Sequence, residues 1–192
     1  MIDLKMTFER MKSEINFRKF LVDEVISPVK NPDKFAGFDG LDYLSKNNLT
    51  MADCRCISEK YFQNLLRGFW SGTGIEGYLM EMNYNSCMHG NKWDKSLSLH
   101  VKMGYGDKGF VFQIKDLGDG FDYRNTVKKF NGGEAYLKNK GSGLIMFNSG
   151  KNHVISWAGK GNLSNFMFKV TERDVDLWGD RIWQNENNYF VF

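Results

Sequence analysis

Three short segments of the chain carry side chains whose types and spacing could support chemistry, and the first contains Glu81, Asn85 and His89. Residues four apart lie on one face of a helix, so these side chains form a polar stripe. A carboxylate can accept a proton from water or a hydroxyl group, and an amide oxygen one turn away can ligate a hard cation such as Mg²⁺. A solvated helix edge would show the same pattern, so the stripe alone leaves both interpretations open.

The second segment is Asp116–Asp122, which directly follows a predicted strand. An aspartate at a strand end, followed by Gly118 and Gly120, lets the backbone approach a flat ligand closely. An ordinary turn and a cation-binding loop are the alternatives. The pattern of a calcium loop is absent, because Val127 stands where that loop needs a bidentate glutamate.

The third segment, Gly141, Ser142, Gly143 and Leu144, opens a short predicted helix. Glycines at a helix N-terminus leave backbone N–H groups free for a phosphate, and the helix dipole favours negative charge there. The segment lacks the Gly-Lys-Ser/Thr ending of a P-loop and the third glycine of a Rossmann fingerprint. It predicts either a different kind of phosphate-binding turn or simply the start of a helix.

In this order and spacing, the three segments resemble the motifs of the Bergerat-fold ATP-binding domains, the superfamily of DNA gyrase, heat-shock chaperones, sensor histidine kinases and mismatch-repair ATPases. Within it, the chain is most similar to the anti-sigma-factor serine/threonine kinases. Their N box reads Glu-x-x-x-Asn-x-x-x-His, their first glycine box Asp-x-Gly-x-Gly-Phe-Asp and their second Gly-x-Gly-Leu. The matching positions, within residues 50–171, are Glu81, Asn85 and His89; Asp116, Gly118, Gly120, Phe121 and Asp122; and Gly141, Gly143 and Leu144.

The resemblance implies a site for ATP and Mg²⁺. By that resemblance, Asn85 would hold the Mg²⁺ ion that bridges the phosphates. Asp116 would accept a hydrogen bond from the adenine amino group. Glu81 would be the general base that activates a serine hydroxyl group, or water, for attack on the γ-phosphate. Positioning and charge neutralisation would supply most of the catalysis, as in phosphoryl transfer generally.

The resemblance also assigns roles to the backbone. The glycines of the first box would let their loop pack near the base, and the N–H groups of residues 141–143 would bind the phosphates. The polar stretch 123–140 would act as a flexible lid. Where these kinases usually carry a threonine pair near the adenine, this chain has Ser164 and Asn165, and the sequence leaves open which of them contacts the base.

Apolar spacing and glycine breaks predict the elements that must position these motifs. Helices are expected over 6–25, 59–70, 73–89 and 143–149, and strands over 51–57, 96–103, 109–115, 152–158 and 165–171. They predict an α/β (α+β) two-layer sandwich in which a mixed, mostly antiparallel sheet carries helices on one face. The chain is expected to divide into an N-terminal helical extension (1–49), the ATP-binding domain (50–171) and a C-terminal tail (172–192).

Composition narrows the class of protein. Of the 192 residues, 42% are apolar and 15% are aromatic, which excludes a wholly disordered chain. A net charge of +3 does not predict a nucleic-acid partner, and the apolar runs are too short to span a membrane. Three cysteines and the lack of a recognisable leader favour a soluble, cytoplasmic protein. Cys54 and Cys56, even with Cys87 and His89, match no common zinc module.

The functional expectation is therefore a Mg-ATP-binding regulator that binds and phosphorylates a protein partner, of the sigma-factor or anti-sigma-antagonist type. A homodimer is expected by the same resemblance. One alternative is a nucleotide-gated binding module, or an ATPase, without protein kinase activity. Another is a sensor-kinase-type catalytic domain, which is disfavoured because the N-terminal helix region contains no histidine.

Overall fold

The centre of the fold is a five-stranded sheet. A computed structural model describes residues 1–34, 75–134 and 142–170. The strands are β1 (Phe17–Ile26), β2 (Leu99–Gly106), β3 (Gly109–Lys115), β4 (His153–Ala158) and β5 (Leu163–Lys169). Their order in the sheet is β1-β2-β3-β5-β4, and every neighbouring pair is antiparallel. The sheet of the described residues is thus antiparallel rather than mixed, and a single isolated parallel bridge joins Ile2 to Ile155.

The helices of the described residues occupy both faces of this sheet. They are α1 (Phe8–Glu14), α2 (Ile75–Asn85), α3 (Tyr123–Asn131) and α4 (Ser142–Ser149), with a 3-10 turn at Pro32–Lys34. Residues of α2, α3 and α4 share one apolar cluster with the strands, and the large side chains Phe110, Phe112 and Phe166 are fully buried there. The sheet and the layer formed by α2, α3 and α4 make an α+β two-layer sandwich, as predicted.

The short helix α1 packs on the opposite face. Met11 and Ile15 are buried against Val111 and Met167, which alternate along β3 and β5 with the phenylalanines of the main core. Thr7 caps the helix by accepting a hydrogen bond from the Arg10 N–H. The prediction that helices lie on one face is therefore wrong for α1.

The β2–β3 hairpin follows from its sequence. Phe110, Phe112 and Ile114 alternate and face the main core, while Val111 between them is buried against α1. The strand predicted over 109–115 is confirmed. Strand β2 begins and ends three residues later than predicted, and β5 begins two residues earlier. The predicted helix over 143–149 and the strand over 152–158 agree with α4 and β4 within one residue.

The N-terminal segment departs most from expectation. The helix predicted over 6–25 ends at Glu14, and residues 17–26 form β1, which pairs with β2 along its length. Val22 and Ile26 belong to the main core. Within the described residues, the segment expected to be a helical extension therefore supplies an integral strand of the sheet.

Several predictions fall on residues that the structure does not describe: the strand over 51–57, the helix over 59–70, the domain boundary near residue 50 and the tail 172–192. In the part of the chain that is described, no helix is long and apolar enough to cross a membrane.

Candidate functional site

Parts of all three motif segments line one cavity of about 480 Å³, a volume typical of small-molecule sites. The cavity is bounded by α2, the loop after β3, α4 and residues of β4 and β5. The motif residues in its lining are Glu81, Asn85, His89, Asp116, Gly120, Phe121, Gly143 and Leu144. The structure thus brings together side chains that lie more than sixty residues apart in the sequence.

The first motif lies where α2 changes its helical form. The Asn85 Nδ2 donates a hydrogen bond to Glu81 Oε1 over 3.2 Å, so the two side chains face each other one turn apart. Regular α-helix ends at Asn85, and Ser86–Gly90 continues as a π-helical turn, with the Asn91 N–H bonded to the Ser86 carbonyl over 2.8 Å. Such turns are frequent at functional sites. This turn replaces the last part of the helix predicted over 73–89.

Glu81 is a buried carboxyl group in this cavity, with 8% of its surface exposed. Burial raises its pKa, and the hydrogen bond from Asn85 partly opposes that rise. The first turn of α4 lies directly against it, since a Cβ atom built on Gly143 would stand 2.9 Å from Glu81 Cδ and closer still to Oε1. A glycine is therefore needed at position 143 for this contact. A carboxylate with a raised pKa is a better proton acceptor than an ordinary one.

Asp116, the first residue after β3, is also buried, with 6% exposed. Its Oδ1 accepts a hydrogen bond from the Gly118 N–H over 2.9 Å. Burial raises the pKa of Asp116, and the bond from Gly118 acts in the opposite direction. The site therefore holds two desolvated carboxyl groups, one on α2 and one at the end of β3, an arrangement more common in functional sites than in ordinary cores.

Close backbone contacts hold the second motif in place. A Cβ atom on Gly90 would stand 2.5 Å from Asp116 Oδ1, and one on Gly118 would stand 2.7 Å from the Gly90 Cα. Gly118 thus packs against the end of the π-turn and is not among the cavity residues. Gly120 does line the cavity, and its positive φ of 78° explains why a glycine is favoured there.

An apolar wall faces the polar groups. Trp157 and Phe147 are buried and lie 6.1 Å apart between ring centroids, and Phe121 meets Trp157 edge-on at 5.8 Å. Phe121 remains 41% exposed. Leu144 completes this side of the cavity. Flat aromatic and aliphatic surfaces in the same cavity as a carboxylate suit a ligand that has a planar apolar ring with a polar edge.

The segment expected to be a flexible lid is partly a regular helix. Residues 123–131 form α3, whose N-terminus is capped by Asp122 through the Asn125 N–H at 3.1 Å. Tyr123 and Val127, one turn apart, are buried. Thr126 of this helix lines the cavity. Residues 132–134 of the predicted lid follow the helix, and the rest of it, 135–140, lies outside the described residues.

The neighbouring residues Ser164 and Asn165 lie on opposite faces of the sheet. Ser164 lines the cavity, while Asn165 points to the other face of the sheet, where it accepts a hydrogen bond from Gln113 Nε2 over 2.7 Å. The alternation of side chains along β5 produces this difference. Of the third motif, Gly141 lies outside the described residues and Ser142 is the first residue of α4.

Six residues of the cavity lining were not predicted from the sequence: Ser86, Gly90, Thr126, Phe147, Trp157 and Gly161. The alternation Ile155, Trp157 along β4 was a usable signal for Trp157, because it places both on the core face. No sequence pattern marked Thr126 or Gly161.

The donor set has the character that Mg²⁺ prefers. Glu81 and Asn85 both offer oxygen atoms, and Mg²⁺ binds one or two such ligands while keeping water and substrate oxygens. Among the described residues, no group of three or more His, Cys, Asp or Glu could form a metal cluster. Cys87 is a buried free thiol of the main core and does not line the cavity.

Comparison with known proteins identifies no family. No protein-family model matches the chain, and no curated protein or solved structure is significantly similar to it.

Proposed function

We propose that this protein binds Mg-ATP in the cavity between α2 and α4 and transfers the γ-phosphoryl group to a serine or threonine hydroxyl group of a protein partner. In this proposal it is a cytoplasmic regulator with a Bergerat-type ATP-binding domain, of the anti-sigma kinase type. The observation that carries the proposal is the meeting of two buried carboxyl groups, Glu81 and Asp116, in one cavity with the start of α4.

The base of the nucleotide would lie at the Asp116 end. Oδ1 of that carboxylate is already bonded to Gly118, and a carboxylate has capacity for further donors, such as the exocyclic amino group of adenine. The aromatic wall of Trp157 and Phe121 would contact the purine ring. Ser164 lines the same cavity from β5 and would contact the polar edge of the purine.

The phosphates would lie at the Glu81 end. The first turn of α4 borders the cavity at Gly143, and a helix N-terminus favours phosphate through its free N–H groups and its dipole. Asn85 Oδ1 is the amide oxygen suited to the metal. When bound, Mg²⁺ would neutralise the phosphate charge that develops during transfer.

Glu81 would act as the general base. Its carboxylate is desolvated, held at Oε1 by Asn85 and confined by Gly143. A confined carboxylate with a raised pKa can accept the proton of an attacking hydroxyl group. An ATPase or a nucleotide-gated binding module would use the same cavity, with water or nothing in place of the partner hydroxyl.

The first experiment is calorimetric titration of the protein with ATP in the presence of Mg²⁺. Asp116→Asn keeps the size of the side chain but loses the charge that would receive the adenine amino group, so we expect ATP to bind about tenfold more weakly or worse. Asp119→Asn is the matched control, because Asp119 lies in the same loop with 90% of its side chain exposed. Absence of ATP binding to the wild-type protein would remove the proposal.

The second experiment measures phosphoryl transfer to a partner recovered by pull-down from the native cell. Glu81→Gln should retain ATP binding and lose at least about 100-fold in transfer, the usual contribution of a general base. Glu9→Gln on the exposed side of α1 is the control. A wild-type protein that binds ATP and neither transfers nor hydrolyses the phosphoryl group would be a binding module instead.

A further inference from the structure

Two asparagines from different elements hold the backbone on either side of Asp116. Asn162, in the turn between β4 and β5, donates from Nδ2 to the Asp116 carbonyl over 3.2 Å, and its own carbonyl accepts from the Asp116 N–H over 3.1 Å. Asn91, directly after the π-turn, accepts at Oδ1 from the Leu117 N–H over 2.9 Å. The Gly118 N–H is bonded to the Asp116 carboxylate itself. Three successive N–H groups and one carbonyl are therefore fixed.

Asn91 is placed to join the two halves of the site. It is buried, with 4% exposed, and its Nδ2 donates to the Ser98 carbonyl over 3.2 Å. Its N–H closes the π-turn on the Ser86 carbonyl. The residue thus connects the end of the helix that carries Glu81 and Asn85 to the loop that carries Asp116. A buried amide with both of its polar atoms bonded has one defined orientation.

Neither asparagine lines the cavity, so neither is placed to touch a ligand there. We propose that Asn91 and Asn162 are positioning residues that hold the Asp116 carboxylate at the base end of the cavity, and that they thereby set the preference of the site for a 6-aminopurine over a 6-oxopurine nucleotide. This proposal rests on the proposed ATP site. The physical reason is that an acceptor discriminates between an amino and an oxo group only while its position is fixed, since a mobile carboxylate turns away from the oxo group and removes the repulsion.

The test measures ATP and GTP binding together with amide hydrogen exchange. In Asn91→Ala and in Asn162→Ala, ATP should bind about tenfold more weakly, as expected for losing one or two hydrogen bonds that orient the acceptor, while GTP affinity changes little. The ratio of ATP to GTP affinity should therefore fall by a similar factor. Asn148→Ala, an exposed residue of α4, is the matched control and should leave the ratio unchanged.

Amide hydrogen exchange tests the hydrogen bonds that hold the backbone around Asp116, and it needs no nucleotide. The Leu117 amide should exchange faster in Asn91→Ala, because its acceptor is gone. If Asn91→Ala does not fold, Asn162→Ala serves alone, because it removes only one side-chain bond and leaves the main-chain bonds of Asp116 in place.

The outcomes separate the two proposals. Lower thermal stability in both variants with an unchanged ATP-to-GTP ratio would overturn the positioning role. If the wild-type protein binds ATP and the Leu117 amide exchanges at the same rate in Asn91→Ala as in the wild type, the positioning role of Asn91 is wrong while the proposed function stands. If the wild-type protein binds neither nucleotide, the proposed function fails, and the selectivity role fails with it.

Discussion

Replacing Gly143 by alanine is the sharpest single perturbation of the site. The new methyl group would stand 2.9 Å from Glu81 Cδ and 3.2 Å from Cγ, and nearer than either to Oε1. Ordinary van der Waals contact begins at 3.4 Å, so the carboxylate must move by about 1 Å or α4 must shift by a similar distance. The backbone N–H of residue 143 is unchanged by the substitution.

The magnitude follows from this displacement. Moving a catalytic group by about 1 Å costs on the order of 100-fold in rate, which corresponds to about 2.7 kcal/mol of activation free energy. Overpacking a buried position also lowers the free energy of unfolding by about 1–3 kcal/mol. ATP affinity should change little, because the helix N-terminus keeps its donors. The mutation should therefore separate turnover from binding.

The assay compares turnover at saturating Mg-ATP with ATP affinity at a temperature where circular dichroism shows the variant to be folded. Gly77→Ala is the matched control on α2, since its new methyl group would meet only the Met146 sulfur, at 3.7 Å, and alanine is the better helix former. Equal turnover in Gly143→Ala and Gly77→Ala, with ATP bound as in the wild type, would refute the assignment of Glu81 as the base.

Three further predictions concern the Glu81 carboxyl group, the contact of Gly90 with Asp116, and the Asp23–His100 pair on β1 and β2. Burial raises the pKa of Glu81, so the stability that this group contributes is present at low pH and is lost as pH rises from the ordinary carboxyl range through the raised pKa. Glu81→Gln should therefore melt at a higher temperature than the wild type at pH 7, and this difference should vanish near pH 4. Gly90→Ala should displace the Asp116 carboxylate and weaken ATP binding by about tenfold or more, as measured by calorimetric titration. The control Gly77→Ala should bind ATP as tightly as the wild type. The pKa of Asp23 is lowered chiefly by its hydrogen bond with His100. Its small contribution to stability should therefore be present above the ordinary aspartate pKa and disappear as pH falls through the lowered one, which denaturant midpoints of Asp23→Asn and wild type at several pH values will measure.

The parts of the fold that sequence could predict are those with uninterrupted periodicity. Strand β3 alternates through Phe110, Phe112 and Ile114, and glycine breaks bound α4, so both were found within one residue. Strand β1 was missed for a physical reason. Its pairing with β2 has register irregularities between Phe17 and Lys19 and between Phe20 and Val22, and such bulges shift the alternation so that apolar residues recur at a helix-like spacing.

The candidate site likewise has features that the sequence predicts and features that depend on folding. Glycines and a polar repeat at helical spacing marked the motif residues in the sequence, and eight of these residues line one cavity. The π-turn at Ser86–Gly90 was not predicted, and its last residue, Gly90, packs against Asp116, a residue brought near only by folding. Helix α3 was taken for a flexible segment because only Tyr123 and Val127 on it are apolar and buried.

The origin of β1 near the start of the chain has a practical consequence for dissecting this molecule. A fragment that begins at residue 50 would look like a self-sufficient nucleotide-binding unit from its motifs, yet it would leave β2 without one of its two hydrogen-bonded neighbours and remove Val22 and Ile26 from the core. An open strand edge of that kind invites association between copies. Truncated expression products should therefore be expected to aggregate rather than to behave as an isolated domain.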